Sequence, residues 1–517
     1  LMRGVVFIGV IVAATAFVGK TLPGGFIPEE DMGYLFVNVQ LPDAASLQRT
    51  DAVAKKVEGI VKKHPEVQYI TTAAGYSLLS GSMSTNAAFL FLSLVDWDDR
   101  EKAVQDVVDA LNRDFFFGVN EAQVFAFGPP AIPGLGNGSG FTLMLQDRVG
   151  ETPEYLAQQA GKFMAAARQR PEIGSVFTTY RAGVPQKFLE INRDKVLRAG
   201  IDLNDIHTTV GAFLGGTYVN DFNRFGRLYK AYVQAEPEYR QQENQINLFF
   251  VKNREGVSVP LSAFVEVKEV AGPEFTNRFN LYRSVELTGG PARGYTSAQA
   301  MAALEAVAAE VLPPEMGIAW SNMSYQEKQA SGTAAVVFIF SLVFVFLILA
   351  AQYESWSLPF SILLGTPFAV FGAMAALLLA RQFSLSYENN VFAQISLVML
   401  IAMAAKNAIL IVEFANIKFK EGRRLYDAAV ESARLRFRPI LMTAFSFILG
   451  VLPLVFATGT GSEARKVMGM ALLGGMSVAT FLGVFFYPSL FVLIGKIGRY
   501  EKRRKITGAI EQGEDRG

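Results

Sequence analysis

Six apolar runs decide what this chain can be. They cover residues 4–19, 334–351, 358–380, 391–415, 439–458 and 467–495. Each is near or above the roughly 20 residues that cross a hydrocarbon layer as a helix. The first stands alone, and a long polar stretch, residues 23–331, separates it from the other five. Backbone exposed to lipid must satisfy its own N–H and C=O groups, so the spans are helices and the stretch between them lies outside the bilayer. Charged residues make up only 18% of the chain, and 51% is hydrophobic. Soluble domains carry about a quarter charged residues, so a partly membrane-embedded protein is expected.

Charge counts orient the bundle. Between the fourth and fifth runs stand Lys418, Lys420, Arg423, Arg424, Arg434, Arg436 and Arg438, and residues 496–505 hold six more basic side chains. The loops 381–390 and 459–465 carry one each. Short loops rich in Lys and Arg stay in the cytoplasm, which puts both chain ends there and the polar stretch in the periplasm. The first run also carries Ala14-Thr15-Ala16, loosely like a signal-peptide cleavage site. A membrane helix is expected here, and a chain cut within that helix would explain both the short run and the start on Leu1. Lys+Arg and Asp+Glu nearly cancel, 48 against 47, which removes any bulk electrostatic case for a nucleic-acid partner. With no cysteine, disulfides and thiolate metal sites are excluded.

The polar stretch alternates two periodicities. Strand patterns at 34–41, 68–73, 89–94 and 123–127 enclose helix patterns at 47–63 and 102–113. That βαββαβ order fits a ferredoxin-like sandwich. A second copy begins with a strand at 141–145, a helix at 153–170 begun by Thr152-Pro153, and a strand at 175–179. It resumes with strand 284–288, helix 297–311 and strand 317–321, around an inserted α/β segment at about 181–272. The glycine-rich run at 134–140 precedes a strand instead of opening a helix, so it reads as a linker and not as a phosphate loop.

Lys406 carries the most chemistry. It lies roughly ten residues inside the fourth run, about 15 Å from its cytoplasmic end at the helical rise. An ammonium at that depth needs a charged partner, carbonyls or a water-filled path. Asn407 beside it can tie a hydrogen-bonded network or make a plain helix–helix contact. Both histidines lie in the polar stretch, and no aspartate lies in any run. Glu413 shares a helix face with Lys406 about 10 Å nearer the cytoplasm and fits a membrane-edge anchor. Arg436 and Thr443 stand seven residues apart on one face; the first also reads as a positive-inside anchor, the second as a back-bonded hydroxyl. Phe89, Phe91, Phe125 and Phe127 take alternate positions on two strands, where they form either a sandwich core or an exposed aromatic face.

The run AKNAILIVEFA at 405–415, followed by RLRFRPILMT at 434–443, closely resembles the resistance–nodulation–division (RND) multidrug exporters, of the hydrophobe/amphiphile efflux type. So do FIPEEDMGYLFVNVQLP at 26–42, GGTYVNDF at 215–222, MSYQE at 323–327 and YESWSLPF at 353–360, all in family order. The resemblance is to the C-terminal half of such a protein. It implies a transmembrane helix at 1–22 (the family's seventh) and two porter subdomains, at 23–133 and at 134–180 with 273–321. It further implies a docking subdomain inserted at 181–272, helices eight to twelve at 332–498, and a basic cytoplasmic tail at 499–517. The expected fold is thus a six-helix membrane bundle plus a periplasmic α+β domain of two ferredoxin-like sandwiches with an insertion.

By resemblance, Lys406, Asn407, Arg436 and Thr443 belong to a proton relay whose paired aspartates lie in an N-terminal half. The substrate pocket takes Tyr76, Leu78, Phe91, Phe125, Phe127 and Phe177, with Gly75 and Gly81 bounding a flexible switch loop. Family members carry further phenylalanines around this loop, where this chain has Thr71 and Leu78. The function implied is drug:proton antiport in a bacterial inner membrane, without a cofactor and driven by the proton-motive force. The partners implied are amphiphilic drugs, detergents or dyes, the N-terminal half, two further copies in a homotrimer, a periplasmic adaptor and an outer-membrane channel. Metal export by the same fold would need soft ligands along the path, and the polar stretch offers no Cys and two scattered His. No nucleophile–base pair suggests an enzyme.

Overall fold

The computed structural model describes residues 2–330 and 332–498 and divides the chain into two units. The basic tail expected at 499–517 lies outside the described residues. The larger unit holds residues 1–180 and 276–517; the smaller is Arg181–Phe275.

Helix α1 (Met2–Thr21) leads into strand β1 (Tyr34–Gln40), helix α2 (Leu47–Val61), strands β2 (Val67–Ser77) and β3 (Ser82–Leu94), helix α3 (Val104–Gly118) and strand β4 (Gln123–Phe127). The sheet runs β2-β3-β1-β4, antiparallel throughout. Ser46 starts α2 by accepting from the Arg49 N–H, and Val53, Val57 and Val61 recur at helical spacing on its buried side. They pack on Leu35, Val37, Val39, Leu90 and Leu92, which alternate along β1 and β3 with essentially no exposure.

The second sandwich starts with β5 (Phe141–Asp147), α4 (Pro153–Ala167) and β6 (Ile173–Phe177). The smaller unit follows. In it β7 (Val184–Ile191) leads through α5 (Arg193–Arg198) and α6 (Leu203–Val210) to a hairpin of β8 (Thr217–Arg224) and β9 (Arg227–Val233). The short β10 (Phe250–Lys252) and β11 (Ser258–Pro260) precede β12 (Val265–Gly272), which returns antiparallel to β7. Its core gathers Val196, Ile206, Phe249, Val251, Leu261 and Phe264. The second sandwich then resumes as β13 (Asn277–Phe279), β14 (Tyr282–Pro291), α7 (Ser297–Val311) and β15 (Met316–Trp320). Its sheet runs β13-β14-β5-β15, with β6 also on β14. A capping box between Thr296 and Gln299 starts α7.

After α8 (Asn322–Ala330) come α9 (Thr333–Tyr353), α10 (Leu358–Leu363), α11 (Thr366–Ala380), α12 (Val391–Lys420), α13 (Leu425–Val455), α14 (Ser462–Phe481) and α15 (Gly483–Ile497). Among the described residues, four segments are long and apolar enough to cross a membrane: 335–353, 358–380, 391–420 and 425–455. A fifth forms if α14 and α15, bent by 58°, make one span, and 6–21 is a shorter apolar helix. The six expected runs are therefore all helical, but the last is broken and the first falls short of the length criterion. The break comes at Leu482–Gly483, where a side chain at 483 would meet the Tyr487 ring at 2.9 Å.

One expectation fails. Residues 416–438 are not a cytoplasmic loop: α12 runs on to Lys420, α13 begins at Leu425, and only 421–424 turn. Charges end an apolar run, but they do not end a helix. Leu425, Ala428, Ala429 and Ser432 bury one side of α13 while Arg434 and Arg438 project from the other. Lys406 lies 14 residues, about 21 Å, before the end of its helix, which runs on past the apolar run.

The segment joining α1 to β1 is stitched to the bundle. Gly24 and Asn389 form a parallel bridge, and the Val391 N–H at the start of α12 donates to the Phe26 carbonyl at 3.1 Å. The Glu30 carboxylate accepts from the N–H groups of Glu463 (3.2 Å) and Ala464 (2.8 Å) in the first turn of α14. Those donors have no partner within the helix, and the helix dipole favours an anion there. Glu30→Ala is expected to lower stability by about 1 kcal/mol, the usual worth of an N-terminal cap, while Glu30→Gln retains an acceptor and most of the stability. Thermal melts of the purified protein check this, and an alanine variant melting with wild type would show that the cap contributes nothing.

Candidate functional site

Two places in the larger unit gather the expected site residues. The first is the sheet of the first sandwich. Because α2 and α3 cover the face of Leu35, Val37 and Leu90, the alternate residues point away from that core. Phe36 on β1 stands opposite Phe91 on β3 and Phe127 on β4, and one step along the strand Asn38 stands opposite Phe89 and Phe125. Ring centroids lie 5.8 Å apart for Phe36–Phe91, 5.7 Å for Phe36–Phe127 and 5.7 Å for Phe125–Phe127. Tyr34 stacks on Phe91 at 5.1 Å. Phe177, at the end of β6, reaches Phe125 at 4.6 Å, so the second sandwich adds to the cluster. Phe91 is 36% exposed. The four phenylalanines thus form an aromatic face, not the helix-covered core.

The glycine-rich linker closes one side. Any side chain at 138 would meet the Phe127 ring at 2.7 Å, so only glycine lets the backbone lie there. The Asn137 amide donates to the Leu79 carbonyl at 3.3 Å, which ties the linker to the β2–β3 turn.

That turn is smaller than expected. Gly75, Tyr76 and Ser77 belong to β2, and only 78–81, with Leu78 and Gly81, turn the chain. A bulge between Ala74 and Tyr76, with Gly75 at φ +86°, keeps the ladder going through Tyr76 opposite Met83 and Ser77 opposite Ser82. Tyr76 lies three residues along β2 from Ala73, the partner of Phe89, which is about 10 Å along the strand. Ring contacts join Phe91, Phe127, Phe125 and Phe177, with Phe36 between the first two, while Tyr76 ends β2 and Leu78 lies in the turn beyond it.

Sequence reasoning missed Tyr34, Phe36 and Asn38. The alternation YLFVN, with large aromatics every second residue, was the available signal. Asn38 is 2% exposed, and its Oδ1 has no hydrogen-bond partner among the described residues.

The second place is a cavity of about 550 Å³ between α12 and α13. Lys406 and Met403 line it from α12; Met442, Thr443 and Ser446 line it from α13. Lys406 is exposed and forms no ion pair among the described residues. Thr443 meanwhile back-bonds to the Ile440 carbonyl at 3.1 Å. Asn407 turns the other way: fully buried, it reaches the Thr480 hydroxyl of α14 at 3.4 Å, with its Oδ1 unpartnered. Arg436 is not in the cavity but lies over the Phe414 ring at 4.7 Å. Lys406 and Thr443 meet, while Asn407 and Arg436 stand aside.

The carboxyls raised by burial lie elsewhere. Desolvation pushes Glu388 up to about 7, with Arg381 opposing and Glu327 and Glu29 adding to the rise. Burial also raises Glu29 and Glu327, against hydrogen bonds from Ser139 and Ser297. Glu388 precedes α12, whose first residue is 15 positions from Lys406, about 22 Å along the axis. These acids cannot answer the lysine.

The family model described as the AcrB/AcrD/AcrF family matches residues 2–495. The multidrug/solvent efflux pump membrane transporter MepB of Pseudomonas putida is 38% identical over 503 residues, covering 96% of this chain and 47% of that protein. The toluene efflux pump membrane transporter TtgB, also of Pseudomonas putida, matches with the same identity and coverage. The multidrug export protein AcrF of Escherichia coli (strain K12) is 37% identical over 499 residues, covering 95% and 47%. The chain spans about half the length of the curated relatives it matches.

Proposed function

The chain belongs to the AcrB/AcrD/AcrF family of resistance–nodulation–division transporters, and on that premise we propose that it forms the C-terminal half of an inner-membrane drug:proton antiporter exporting amphiphilic toxic compounds. Lys406 carries this reading, since it opens into a cavity within the bundle and no carboxylate among the described residues meets it. An ammonium and a nearby pair of acids titrate as one system, because like charges raise one acid and the cation lowers both. Loading and releasing a proton then makes and breaks an ion pair that can move helices. Thr443 shares the cavity and orients the network, and Asn407 fixes α12 against α14 through Thr480. Arg436 anchors the helix nearer the cytoplasm.

The acids belong to an N-terminal half. The working pump is a homotrimer in the bacterial inner membrane, with a periplasmic domain, a periplasmic adaptor and an outer-membrane channel. It needs no cofactor, and the proton-motive force drives it. Six spans anchor this half, with the domain boundaries that the resemblance implies.

The aromatic face of Tyr34, Phe36, Phe89, Phe91, Phe125 and Phe127 is the substrate surface. Flat rings accept many apolar shapes. Tyr76, Leu78 and the turn between Gly75 and Gly81 guide compounds toward this face. Phe127→Ala in the assembled pump is expected to weaken resistance to some compounds severalfold and leave others unchanged, at wild-type protein level. Truncating a core phenylalanine would instead cost about 3–5 kcal/mol and lower abundance, reducing all resistances alike. A uniform loss that tracks abundance would overturn the assignment.

A further inference from the structure

Between α13 and α15 runs a groove of about 750 Å³ that neither the relay nor the aromatic face uses. Its walls are apolar, with Phe437 on α13 and Val492 on α15. Its polar groups are Tyr426, Ser489, Arg434 and Lys496. Arg434 and Lys496 are both exposed, and neither forms an ion pair among the described residues. Two cations without an ion-pair partner among the described residues thus border an apolar groove.

The two helices are antiparallel here, since a side chain at 495, near the end of α15, would touch Leu425, the first residue of α13. Lys496 therefore sits at the end of the bundle where basic residues crowd, the cytoplasmic end by the positive-inside count. Arg434 is nine residues into α13, about 13 Å deeper, within reach of the interface by snorkelling. Phe437 lies deeper still. Cations at headgroup depth above an apolar slot match an anionic headgroup with its acyl chain.

We propose that this groove binds an anionic phospholipid of the cytoplasmic leaflet, its phosphate held by Arg434 and Lys496 and its chain laid against Phe437 and Val492. Guanidinium and ammonium supply the charge-assisted hydrogen bonds, and the Tyr426 and Ser489 hydroxyls donate to the remaining oxygens. A zwitterionic lipid fills the slot equally well but gains less from the cations. Basic residues at an anionic surface contribute about 1 kcal/mol each.

The test uses the assembled pump containing this chain in nanodiscs of phosphatidylcholine, with phosphatidylglycerol added in steps, and counts retained lipids by native mass spectrometry. Wild type is expected to retain phosphatidylglycerol over phosphatidylcholine. The double change Arg434→Gln with Lys496→Gln should cut that preference about 30-fold, equivalent to about 2 kcal/mol at 1.4 kcal/mol per tenfold. The charge-keeping pair Arg434→Lys with Lys496→Arg should retain it, which separates charge from misfolding. Arg424→Gln, in the α12–α13 turn and outside the groove, should leave it unchanged. An equal loss in the Arg424 variant would mean diffuse surface charge, and an unchanged preference in the double variant would place the lipid elsewhere. A preference that emerges only after residues 499–517 are removed would make the chain's own end the occupant. Any of these three results overturns the proposal.

Discussion

Lys406→Ala is expected to abolish export while leaving the amount and assembly of the protein unchanged. The two halves of that expectation have separate causes. Lys406 is exposed to a cavity and not packed in the apolar cores around α12, so removing it opens no void and breaks no ion pair among the described residues. The stability of this chain should scarcely move. Function is another matter, because an ammonium in the middle of an apolar helix is not retained unless something answers it. Moving one proton down a 100 mV potential releases about 2.3 kcal/mol, which moves helices only where a titrating pair gates the proton. Lys406→Arg tests the point from the other side. It keeps the positive charge but offers a planar guanidinium in place of a compact ammonium, so export is expected to stay well below wild type. Drug susceptibility, membrane abundance and uncoupler-sensitive dye efflux give the three readouts. Wild-type resistance in the alanine variant would end the proton-relay proposal.

The parts legible in the sequence were those that one periodicity specifies alone. Apolar runs marked the helices of the bundle, and alternation marked β1, where Leu35, Val37 and Val39 turn to the core. What escaped depended on a second element. Phe36 is central to the aromatic face because β3 and β4 place Phe91 and Phe127 beside it, and register is a pairing property that no single strand contains. The start of α13 escaped because burial of Ala428, Ala429 and Ser432 outweighs the charges that end an apolar run. The turn at 78–81 looked longer because one bulge at Gly75 carries the ladder past a residue that sequence reads as a strand end. Glu30 was hidden most completely. Its partners lie more than 430 positions away, and nothing in its neighbourhood announces them. In the bundle, depth singled out Lys406, but helix rotation decided that Thr443 shares its cavity and Asn407 does not.

Gly474→Val is expected to remove folded protein from the membrane, a larger structural effect than any change at the aromatic face. Helices α11 and α14 meet through residues without side-chain bulk. A Cβ at 474 would lie 2.2 Å from the Ala376 Cβ and 2.6 Å from the Gly372 carbonyl oxygen. At 475 it would lie 2.3 Å from Leu400 and 2.9 Å from the Ala369 carbonyl oxygen. Real Cβ atoms do not approach so closely, and two of these neighbours are backbone, so the helices themselves must separate. Lipid offers no hydrophobic drive to hold them, and association depends on the close contact that small residues allow. Valine adds three carbons where one does not fit. Overpacking in soluble cores costs about 1–3 kcal/mol, and here the rigid partner puts the cost at or above the top of that range. Gly474→Ala should be milder and informative. With the fold retained but α14 displaced, the 3.4 Å bond from Asn407 to Thr480 is the first contact to lengthen, and Lys406 is its neighbour in the chain. The alanine variant should therefore be present in the membrane yet transport more slowly, whereas the valine variant should be largely absent. Quantitative blotting of membrane fractions separates the two, and a valine variant at wild-type abundance would show that α11 and α14 can part without loss of the bundle.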